Sequence, residues 1–389
     1  MGREAMVVSQ FFFCGTLRHL PLLHIVLGRE VSFSAAWLHD RQMIWGHQDS
    51  YPLMQAAAGG KVEGIVVPDL TADDVARLVF FEGGFGFEIA AMRVETDHGA
   101  VDAQIFQPAL GDPVGAIVPW SLTEWQARFG AEFEAMAQDH MALYGVKPGY
   151  AVAARFPQML ARGASRVRAR NPAPTAMRKR VVAGDVAIAA LREPYARFFA
   201  IEEIDVSFRR FDGSMSPKVT RAGFIACDAV TVLPYDPLQD RVLVVDQFRA
   251  GPHLRGDPQP WQIEAIAGRI DAGETPEHAA RREAEEEAGL QLGALLPVAN
   301  YYPSPGCSAE YLYSFVAITN LPDGAAGVFG VEGEAEDIRG HLLSFDQLMA
   351  LVASGEISNA PTVLTAFWLA GQRDRLRKDH QNGTHQRPA

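Results

Sequence analysis

Three glutamates, Glu283, Glu286 and Glu287, have the spacing that places carboxylates on one face of a helix. They stand at positions i, i+3 and i+4 of a segment that follows Thr275 and precedes Gly289. Side chains three and four residues apart are neighbours on a helix surface, and like charges there repel each other. Carboxylate oxygens are ligands that hard divalent cations prefer. The spacing therefore favours a divalent-metal site, although a solvated acidic helix face has the same pattern.

The glutamates belong to a longer motif with fixed offsets. Gly268 and Glu274 precede the predicted helix, Arg282 lies within it, and Gly289 follows it. With the glutamates they match every glycine and charged position of the pattern G-x5-E-x7-R-E-U-x-E-E-x-G-U, in which U is a bulky apolar residue. Ala284 is small for the first U position. The segment resembles the Nudix family, whose members hydrolyse a nucleoside diphosphate linked to another group.

Segments outside the motif are similar to the ADP-ribose pyrophosphatase branch of that family. Pro305 stands 16 residues after Gly289, which is typical of the branch. The matching segments are 195–199, 211–216, 246–249, 304–306 with Glu310, and 334–339. The resemblance implies hydrolysis of ADP-ribose to AMP and ribose 5-phosphate with Mg²⁺, or with Mn²⁺ in its place. ADP-glucose, NADH, GDP-mannose and dinucleoside polyphosphates are alternative substrates, and a nucleotide-sensing regulator is an alternative function.

The resemblance also implies which residues form the site. Phosphoryl transfer depends on positioning and on neutralising charge, which metal ions provide. The implied metal ligands are Glu283, Glu287 and the carbonyl of Ala267, with Glu286 and Glu336 as further ligands. The implied catalytic residues are Glu286 and Glu334, the latter as the base, for which Glu332 and Glu336 are alternatives. The implied substrate-binding residues are Phe198, Arg221, Arg249, Glu264, Arg269, Ser304, Gly306 and Glu310. Glu274 and Arg282 are expected to orient the helix and its loop.

A second motif stands near the start of the chain. The run from Phe13 to Arg18 and the later Phe81-Glu82-Gly83 resemble the γ-glutamylcyclotransferase-like family over about residues 9–115. The resemblance implies that Glu82 moves protons, which a buried glutamate with a raised pKa can do near neutrality. Cys14 replaces the family's tyrosine, and Phe85-Gly86-Phe87 replaces its Tyr-x-Arg. These departures favour a scaffold or ligand sensor over an active cyclotransferase. The two-part layout also resembles Nudix proteins associated with tellurite resistance.

The elements that must position these residues divide the chain into two domains. We predict a γ-glutamylcyclotransferase-like domain at 1–160, a basic proline-containing linker at 161–182, a Nudix domain at 183–376 and an unstructured tail at 377–389. The first domain is expected to be a small mixed β-barrel with helices, and the second an α/β/α sandwich with a mixed sheet. Helices are predicted at 71–81, 122–144, 276–288 and 361–376, and strands at 11–14, 222–233, 241–246, 311–318 and 340–344.

Composition excludes several other classes of protein. The 389 residues carry a net charge of −12, which argues against a nucleic-acid surface, because such surfaces have a basic excess. Three widely spaced cysteines are not the pattern of a disulfide framework or a zinc site. No run of apolar residues is long enough for a membrane span. The cysteine pattern fits reduced thiols, so we expect a cytoplasmic protein. The resemblance implies a homodimer that associates through the second domain.

Overall fold

The structure is a computed structural model and describes residues 9–46, 50–108, 118–329 and 337–382. The chain divides into two compact units, Met1–Arg178 and Lys179–Ala389. In these described ranges, no helix has the length and apolar character needed to cross a membrane. Cys14 and Cys227 are buried free thiols, and Cys307 is an exposed one.

A closed barrel forms the centre of the N-terminal unit. Over the described residues it contains five strands in the order β1-β3-β2-β4-β5, and a parallel contact between β1 and β5 closes it. The strands are β1 (Ser9–Phe13), β2 (Ser34–Trp45), β3 (Pro52–Leu70), β4 (Phe87–Thr96) and β5 (Gly99–Pro108). Phe12, Val66 and Ile105 pack together in its core. The predicted small mixed barrel is therefore confirmed.

Helices follow the barrel strands in the same unit. They are α1 (Leu20–Leu27), α2 (Ala72–Glu82), α3 (Leu122–Trp125), α4 (Ala131–Met141), α5 (Gly149–Ala153) and α6 (Phe156–Ala169). Thr71 and Asp74 form a capping box at the start of α2, and Glu82 is the last residue of this helix. The helix predicted at 122–144 is interrupted by a π-helical turn, Gln126–Gly130.

Aromatic side chains of this segment pack into the core despite the interruption. Trp125, Phe129 and Phe133 are buried, and neighbouring rings meet edge to face. The indole N–H of Trp125 donates to the carbonyl of Ser50 at 2.9 Å. A buried indole usually finds such a partner. These rings therefore pack the helices of this unit together, and Phe133 also lines a cavity of the same unit.

Helix α6 differs from the predicted linker. Residues 161–169 were assigned to the linker, but they are the last part of α6. Arg162 is buried and lies 3.4 Å from Asp139 of α4, and Arg166 pairs with the same carboxylate. Met159 and Leu160 of the same helix are buried. Asp139 neutralises two of the clustered arginines, so like charges do not prevent a packed helix here.

Two sheets form the framework of the C-terminal unit. A three-stranded antiparallel sheet contains β6 (Val186–Ala196), β7 (Ala200–Phe208) and β8 (Val219–Ile225). Over the described residues, the second sheet has eight strands: β9 (Ala229–Asp236), β10 (Arg241–Phe248), β11 (Trp261–Glu264), β12 (Ile266–Arg269), β13 (Leu295–Tyr301), β14 (Leu312–Ile318), β15 (Val328–Phe329) and β16 (Ile338–Ser344). Its long path runs β13-β14-β9-β10-β16-β15, and only β9 and β14 pair in parallel. The run predicted at 222–233 is thus two strands in different sheets.

Helices cover both faces of the larger sheet. The helices of this unit are α7 (Ala250–Arg255), α8 (Pro276–Ala288), α9 (Phe345–Ser354) and α10 (Ala360–Gln381), of which α8, α9 and α10 pack on the sheet. Successive side chains of a strand point to opposite faces. On β10, Leu243 and Val245 pack in one core with α8, whereas Val242 and Val244 pack in another with α9 and α10. The predicted α/β/α sandwich with a mixed sheet is confirmed.

Helix α10 also extends into the predicted tail. Residues 377–381 were expected to lack structure, but they continue the helix to Gln381. Arg377 lies 2.7 Å from the carboxylate of Asp240, which also pairs with Arg373. These ion pairs fasten the end of α10 to the turn between β9 and β10. Residues 383–389 of the predicted tail lie outside the described ranges.

Candidate active site

Helix α8 has the predicted bounds, and each bound has a local cause. The hydroxyl of Thr275 accepts a hydrogen bond from the backbone N–H of His278 at 3.2 Å, and Pro276 occupies the first helical position. At the other end Gly289 has a φ of 61°, the left-handed conformation that glycine adopts most readily. The register of the glutamates between these caps is therefore fixed by the sequence.

A face of small residues brings α8 close to the sheet. Ala279, Ala280 and Ala284 are fully buried against Val230 and Ile266 of the sheet. Ala284, which departs from the motif's bulky position, is part of this close contact. The helix can approach β12 because the apolar residues of its buried face are all alanines, and this approach brings the glutamates to the strand.

Two glutamates of α8 meet the backbone of β12. The backbone N–H of Ala267 donates to Glu287 Oε2 at 3.3 Å, and Glu287 is only 3% exposed. A Cβ atom on Gly268 would stand 1.9 Å from the carboxylate of Glu283. Glycine at 268 therefore leaves the space that this carboxylate occupies. Ala267, Glu283 and Glu287, three of the predicted metal ligands, lie together.

Arg282 holds the carboxylates around the start of the helix. Its guanidinium donates to Glu283 at 2.7 Å, to Glu286 at 3.0 Å and to both oxygens of Glu274 at 3.0 Å. It also donates to the carbonyl of Arg269 at 2.9 Å, which ties the helix to the end of β12. Burial lowers the pKa of Arg282, but hydrogen bonding to Glu274 and the charge of Glu283 outweigh it and raise the pKa overall. Arg282 is therefore a fixed cation among the acids.

The pKa values of Glu283 and Glu274 shift in opposite directions. Burial raises the pKa of Glu283 to about 7, with a further increase from the charge of Glu286, although Arg282 acts in the opposite direction. Burial also tends to raise the pKa of Glu274, but its hydrogen bonds with Arg282 prevail and lower it. Glu274 is thus a permanently charged partner of Arg282. Glu283, by contrast, is poised to exchange its proton for another cation.

The donors at this position are suited to a hard divalent cation. Carboxylate and carbonyl oxygens of Glu283, Glu287 and Ala267 are the ligand types that Mg²⁺ and Mn²⁺ take. Metal binding requires deprotonated ligands, so a cation would take the place of the proton on Glu283. Over the described residues, no three His, Cys, Asp or Glu side chains already converge on one point. Arg282 contacts Glu283 and Glu286, and the predicted ligand Glu336 lies outside the described ranges.

Three predicted substrate residues come together beyond the end of β10. Arg249 Nε donates to Glu264 Oε1 at 2.6 Å. Burial raises the pKa of Glu264, and the charge of Arg249 partly offsets this. Burial likewise raises the pKa of Glu310, which also feels the opposing charges of Arg249 and Asp228. Arg249 is thus a partly exposed cation between two carboxyl groups.

Another pair of predicted substrate residues forms a cation–π contact. The guanidinium of Arg269 lies 4.5 Å from the ring centre of Phe198. Phe198 lies between β6 and β7, with its ring half exposed and edge to face with Phe199 at 4.7 Å. Arg269 ends β12, directly beside the glutamates of α8. The contact places an aromatic surface next to the acidic helix.

The loop after β13 carries Ser304, Gly306 and Cys307, all exposed. The hydroxyl of Ser304 lies 3.2 Å from the thiol of Cys307. The N–H of Phe224 donates to the carbonyl of Cys307 at 2.7 Å, and the N–H of Ala309 donates to the carbonyl of Phe224 at 2.9 Å. The loop is therefore tied to the end of β8.

Arg221 is not brought to the other predicted substrate residues by any contact in the described ranges. It is exposed on β8, and its guanidinium donates to the carbonyl of Thr220 at 3.0 Å. The predicted base Glu334 and its alternative Glu332 lie outside the described ranges.

Asp228 and Asp246, two aspartates near the predicted substrate residues, were given no role from the sequence. Asp246 is paired with Arg339 at 2.7 Å.

In the N-terminal unit, Glu82 lines a cavity together with Cys14 and with Phe85 and Phe87. Burial raises the pKa of Glu82 to about 7, as proton transfer near neutrality would need. Burial also raises the pKa of the Cys14 thiol to about 12. Because the thiolate is the nucleophilic form, Cys14 is not suited to nucleophilic catalysis.

Comparison with known proteins identifies both units. A family model described as NUDIX domain matches residues 227–364, and one described as gamma-glutamyl cyclotransferase, AIG2-like, matches residues 11–126. The ADP-ribose pyrophosphatase of Escherichia coli is 36% identical over 195 residues, which are 50% of this chain and 92% of that protein. The ADP-ribose pyrophosphatase of Haemophilus influenzae is 35% identical over 187 residues, which are 48% of this chain and 86% of that protein.

Two further proteins are also similar to this chain. The GDP-mannose pyrophosphatase of Escherichia coli is 31% identical over 172 residues, covering 44% of this chain and 88% of that protein. A crystal structure of an ADP compounds hydrolase is 20% identical, covers 48% of this chain and 96% of that chain, and has a TM-score of 0.37. The assignment rests on the sequence relatives. The chain belongs to the Nudix family: its C-terminal unit is a Nudix pyrophosphatase, and its N-terminal unit contains a γ-glutamyl cyclotransferase, AIG2-like domain.

Proposed function

We propose that the C-terminal unit hydrolyses the diphosphate of ADP-ribose to AMP and ribose 5-phosphate with Mg²⁺. The observation that carries the proposal is the contact of Glu283 and Glu287 with β12, beside the Phe198–Arg269 pair. Oxygen donors for a cation and an aromatic surface for a base thus lie next to each other. The relatives named ADP-ribose pyrophosphatase, which this chain nearly spans, favour adenine and ribose over other groups.

In this proposal Glu283, Glu287 and the carbonyl of Ala267 hold the metal, with Glu286 and Glu336 as further ligands. Bound Mg²⁺ would neutralise the diphosphate and lower the pKa of a bound water. Mn²⁺ is the alternative ion. Arg282 and Glu274 keep the helix and its loop in place, and their hydrogen bonds are positioning contacts.

Substrate binding is assigned to the residues around this helix. Phe198 stacks on adenine, with Arg269 on its ring. Arg249, Glu264 and Glu310 offer a cation and two hydrogen-bonding carboxyl groups to phosphate and ribose hydroxyls. Ser304 and Gly306 contribute from the loop after β13. Glu334 is assigned as the base that removes the proton from the attacking water.

A substrate panel tests the proposal. Purified full-length protein with Mg²⁺ is offered ADP-ribose, ADP-glucose, GDP-mannose, NADH and a dinucleoside polyphosphate, and the products are separated by chromatography. The highest kcat/KM is expected for ADP-ribose, with AMP and ribose 5-phosphate as products. Addition of EDTA should stop the reaction, and excess Mg²⁺ should restore it. A higher kcat/KM for GDP-mannose than for ADP-ribose would refute ADP-ribose as the preferred substrate. No turnover of any compound would favour a nucleotide sensor.

The base assignment has its own test. Glu334→Gln should lower kcat by orders of magnitude while the melting temperature stays unchanged, because the amide cannot take a proton. Glu332→Gln is the matched control and should retain activity. A near-normal rate of the Glu334 variant, with a large loss in the Glu332 variant, would transfer the role to Glu332.

We further propose that the C-terminal unit forms a homodimer through the three-stranded sheet. Monomeric proteins rarely expose contiguous apolar patches of large side chains. The exposed apolar side chains on this sheet are Val186, Ile188, Leu191, Tyr195, Phe208 and Phe224. Arg221 lies on the same sheet, so dimer formation through it would offer Arg221 to the partner's site.

Light scattering after size-exclusion chromatography tests the dimer. Ile188→Asp with Leu191→Asp should give a monomer and lower kcat/KM, because Arg221 would lose its place at the partner's site. Val146→Asp, an equally exposed position in the N-terminal unit, is the control and should leave the mass unchanged. A monomeric wild-type protein would refute the dimer.

For the N-terminal unit we propose ligand binding without turnover. The phenyl rings of Phe85 and Phe87 line the cavity where the family pattern has a tyrosine and an arginine, and neither ring can donate a hydrogen bond. Release of 5-oxoproline from γ-glutamyl amines, lost in Glu82→Gln, would refute this proposal and make the unit a γ-glutamyl cyclotransferase.

A further inference from the structure

The cavity of the N-terminal unit has a volume of about 100 Å³, and aromatic rings surround it. Among the described residues, nine of its lining side chains are aromatic, including Phe12, Phe13, Phe81, Phe85, Phe87 and Phe106. They come from barrel strands, from α2 and the turn that follows it, from α4 and α6, and from the residue before β3. Such a lining gives a ligand apolar contact on several sides and presents the negative faces and positive edges of the rings to it.

Charge in the cavity is limited to one sign. Over the described residues, Glu82 is the only acidic side chain that lines it, and no lysine, arginine or histidine does so. Cys14 remains a neutral thiol because burial raises its pKa to about 12. A phosphate or carboxylate would therefore meet the Glu82 carboxyl and no compensating basic side chain among these residues. The charged side chains of the described lining therefore favour a cation over an anion.

Glu82 has an unused capacity to bind a cation. It is the last residue of α2, and burial raises its pKa. In the described part of the chain it has no hydrogen-bond or ion-pair partner that would satisfy its charge. An ionised carboxylate in an apolar site is unfavourable unless a partner neutralises it. A cationic ligand would supply that partner.

We propose that this cavity binds a small organic cation: an ammonium group on an apolar body, with the nitrogen at Glu82 and the body among the aromatic rings. An ammonium is attracted to aromatic ring faces, and more strongly where water is excluded. The carboxylate adds a charge-assisted hydrogen bond. The inference rests on the proposal that the N-terminal unit binds a ligand without turnover, and it is independent of the pyrophosphatase.

The test compares two probes of matched size on the full-length protein. Phenethylammonium carries the charge, and phenethyl alcohol has nearly the same shape without it. Isothermal titration calorimetry at neutral pH should give phenethylammonium an affinity about tenfold higher or more, because a desolvated cation–π contact alone is of that size. Equal affinities, or binding of neither probe, would overturn the inference.

Variants of the cavity distinguish the effect of the Glu82 charge from the effect of the apolar lining. Glu82→Gln should remove the preference for the cation while leaving the affinity for phenethyl alcohol unchanged, and unchanged alcohol binding also shows that the cavity is folded. Glu30→Gln removes an exposed carboxylate of the same unit, outside the cavity, and should keep the preference. Phe87→Leu should lower the affinity for both probes and reduce the preference for phenethylammonium over phenethyl alcohol. A preference that persists in Glu82→Gln would overturn the assignment of Glu82.

Two further outcomes distinguish a failure of the proposed function from a failure of the cationic-ligand inference alone. Release of 5-oxoproline from a γ-glutamyl amine, absent in Glu82→Gln, would refute ligand binding without turnover, and the present inference with it. Tight binding of phenethyl alcohol without any advantage for phenethylammonium would refute only the cationic ligand and leave a sensor of neutral apolar molecules.

Discussion

The substitution Gly268→Ala should remove activity without unfolding the protein. The added methyl carbon would lie 1.9 Å from Cδ and Oε1 of Glu283, whereas ordinary van der Waals contact lies at 3.4–4 Å. The carboxylate must therefore retreat by at least about 1.5 Å from its place beside β12, the difference between these distances. Gly268 touches no substrate in our proposal, so the effect would act entirely through Glu283.

The magnitude follows from that displacement. Misplacing a catalytic group by about 1 Å costs on the order of 100-fold in rate, which is about 2.7 kcal/mol of activation free energy. The free energy of unfolding should change by less than about 1 kcal/mol. A carboxylate at the end of a flexible side chain moves readily, and alanine in place of glycine stabilises a protein by about 0.4–1 kcal/mol through the unfolded state.

Two measurements on the purified variant separate these effects. Steady-state hydrolysis of ADP-ribose with Mg²⁺ gives kcat, and urea denaturation gives the free energy of unfolding. Gly371→Ala is the matched control, because a Cβ there meets nothing within 4 Å and the residue lies in α10. It should keep full activity and gain slightly in stability. If Gly268→Ala retained kcat within about threefold of wild type, a tolerance far below the 100-fold loss, the placement of Glu283 beside β12 would not matter for catalysis.

Three other changes have defined outcomes. Thr275→Ala removes the cap of α8 and should lower the unfolding free energy of the C-terminal unit by about 1 kcal/mol, measured by urea denaturation against Thr123→Ala as control. The pKa of Glu82 is raised from 4.5 to about 7, so the folded N-terminal unit holds a proton that the unfolded chain releases. Its stability should therefore fall by up to about 3 kcal/mol as pH rises from about 4.5 to 7 and then level off, and Glu82→Gln should remove this slope in thermal melts. Phe198→Ala should raise KM for ADP-ribose about tenfold by removing a stacking surface, whereas Phe367→Ala, exposed on α10, should leave KM unchanged.

Local signals predicted helix α8 well. Thr275 and Pro276 at one end and Gly289 at the other act through contacts within a few residues, so the sequence alone was sufficient for the bounds of α8. The packing role of Ala284, by contrast, was not evident from the sequence. Its small side chain looked like a departure from the motif, and only the packing against Val230 and Ile266 explains it.

Other features depended on partners distant in the chain. Arg162 looked like part of a solvated basic run, but Asp139, on another helix, makes it a buried residue. Residues 377–381 looked like a polar tail, and Asp240 makes them helical through Arg373 and Arg377. No local pattern reveals such partners, because the chain brings them together only when it folds.

For the candidate sites too, the sequence revealed the residue types, and the fold revealed which of them lie together. The sequence selected Phe198 and Arg269 separately by resemblance, and the fold places the guanidinium over the ring. It also noted that Phe85 and Phe87 replace polar residues, but only the fold places both in the same cavity as Glu82. Residue types could be read from the sequence, whereas the combination of residues that share one space could not.

The distribution of thiols makes the protein easy to label at one position. Cys14 and Cys227 are buried, and Cys307 is exposed in the loop tied to the end of β8. A maleimide fluorophore should therefore react with the wild-type chain at Cys307, three residues from Ser304, without any engineered cysteine. Such a probe would report on nucleotide binding in real time, in a protein whose sequence has not been altered.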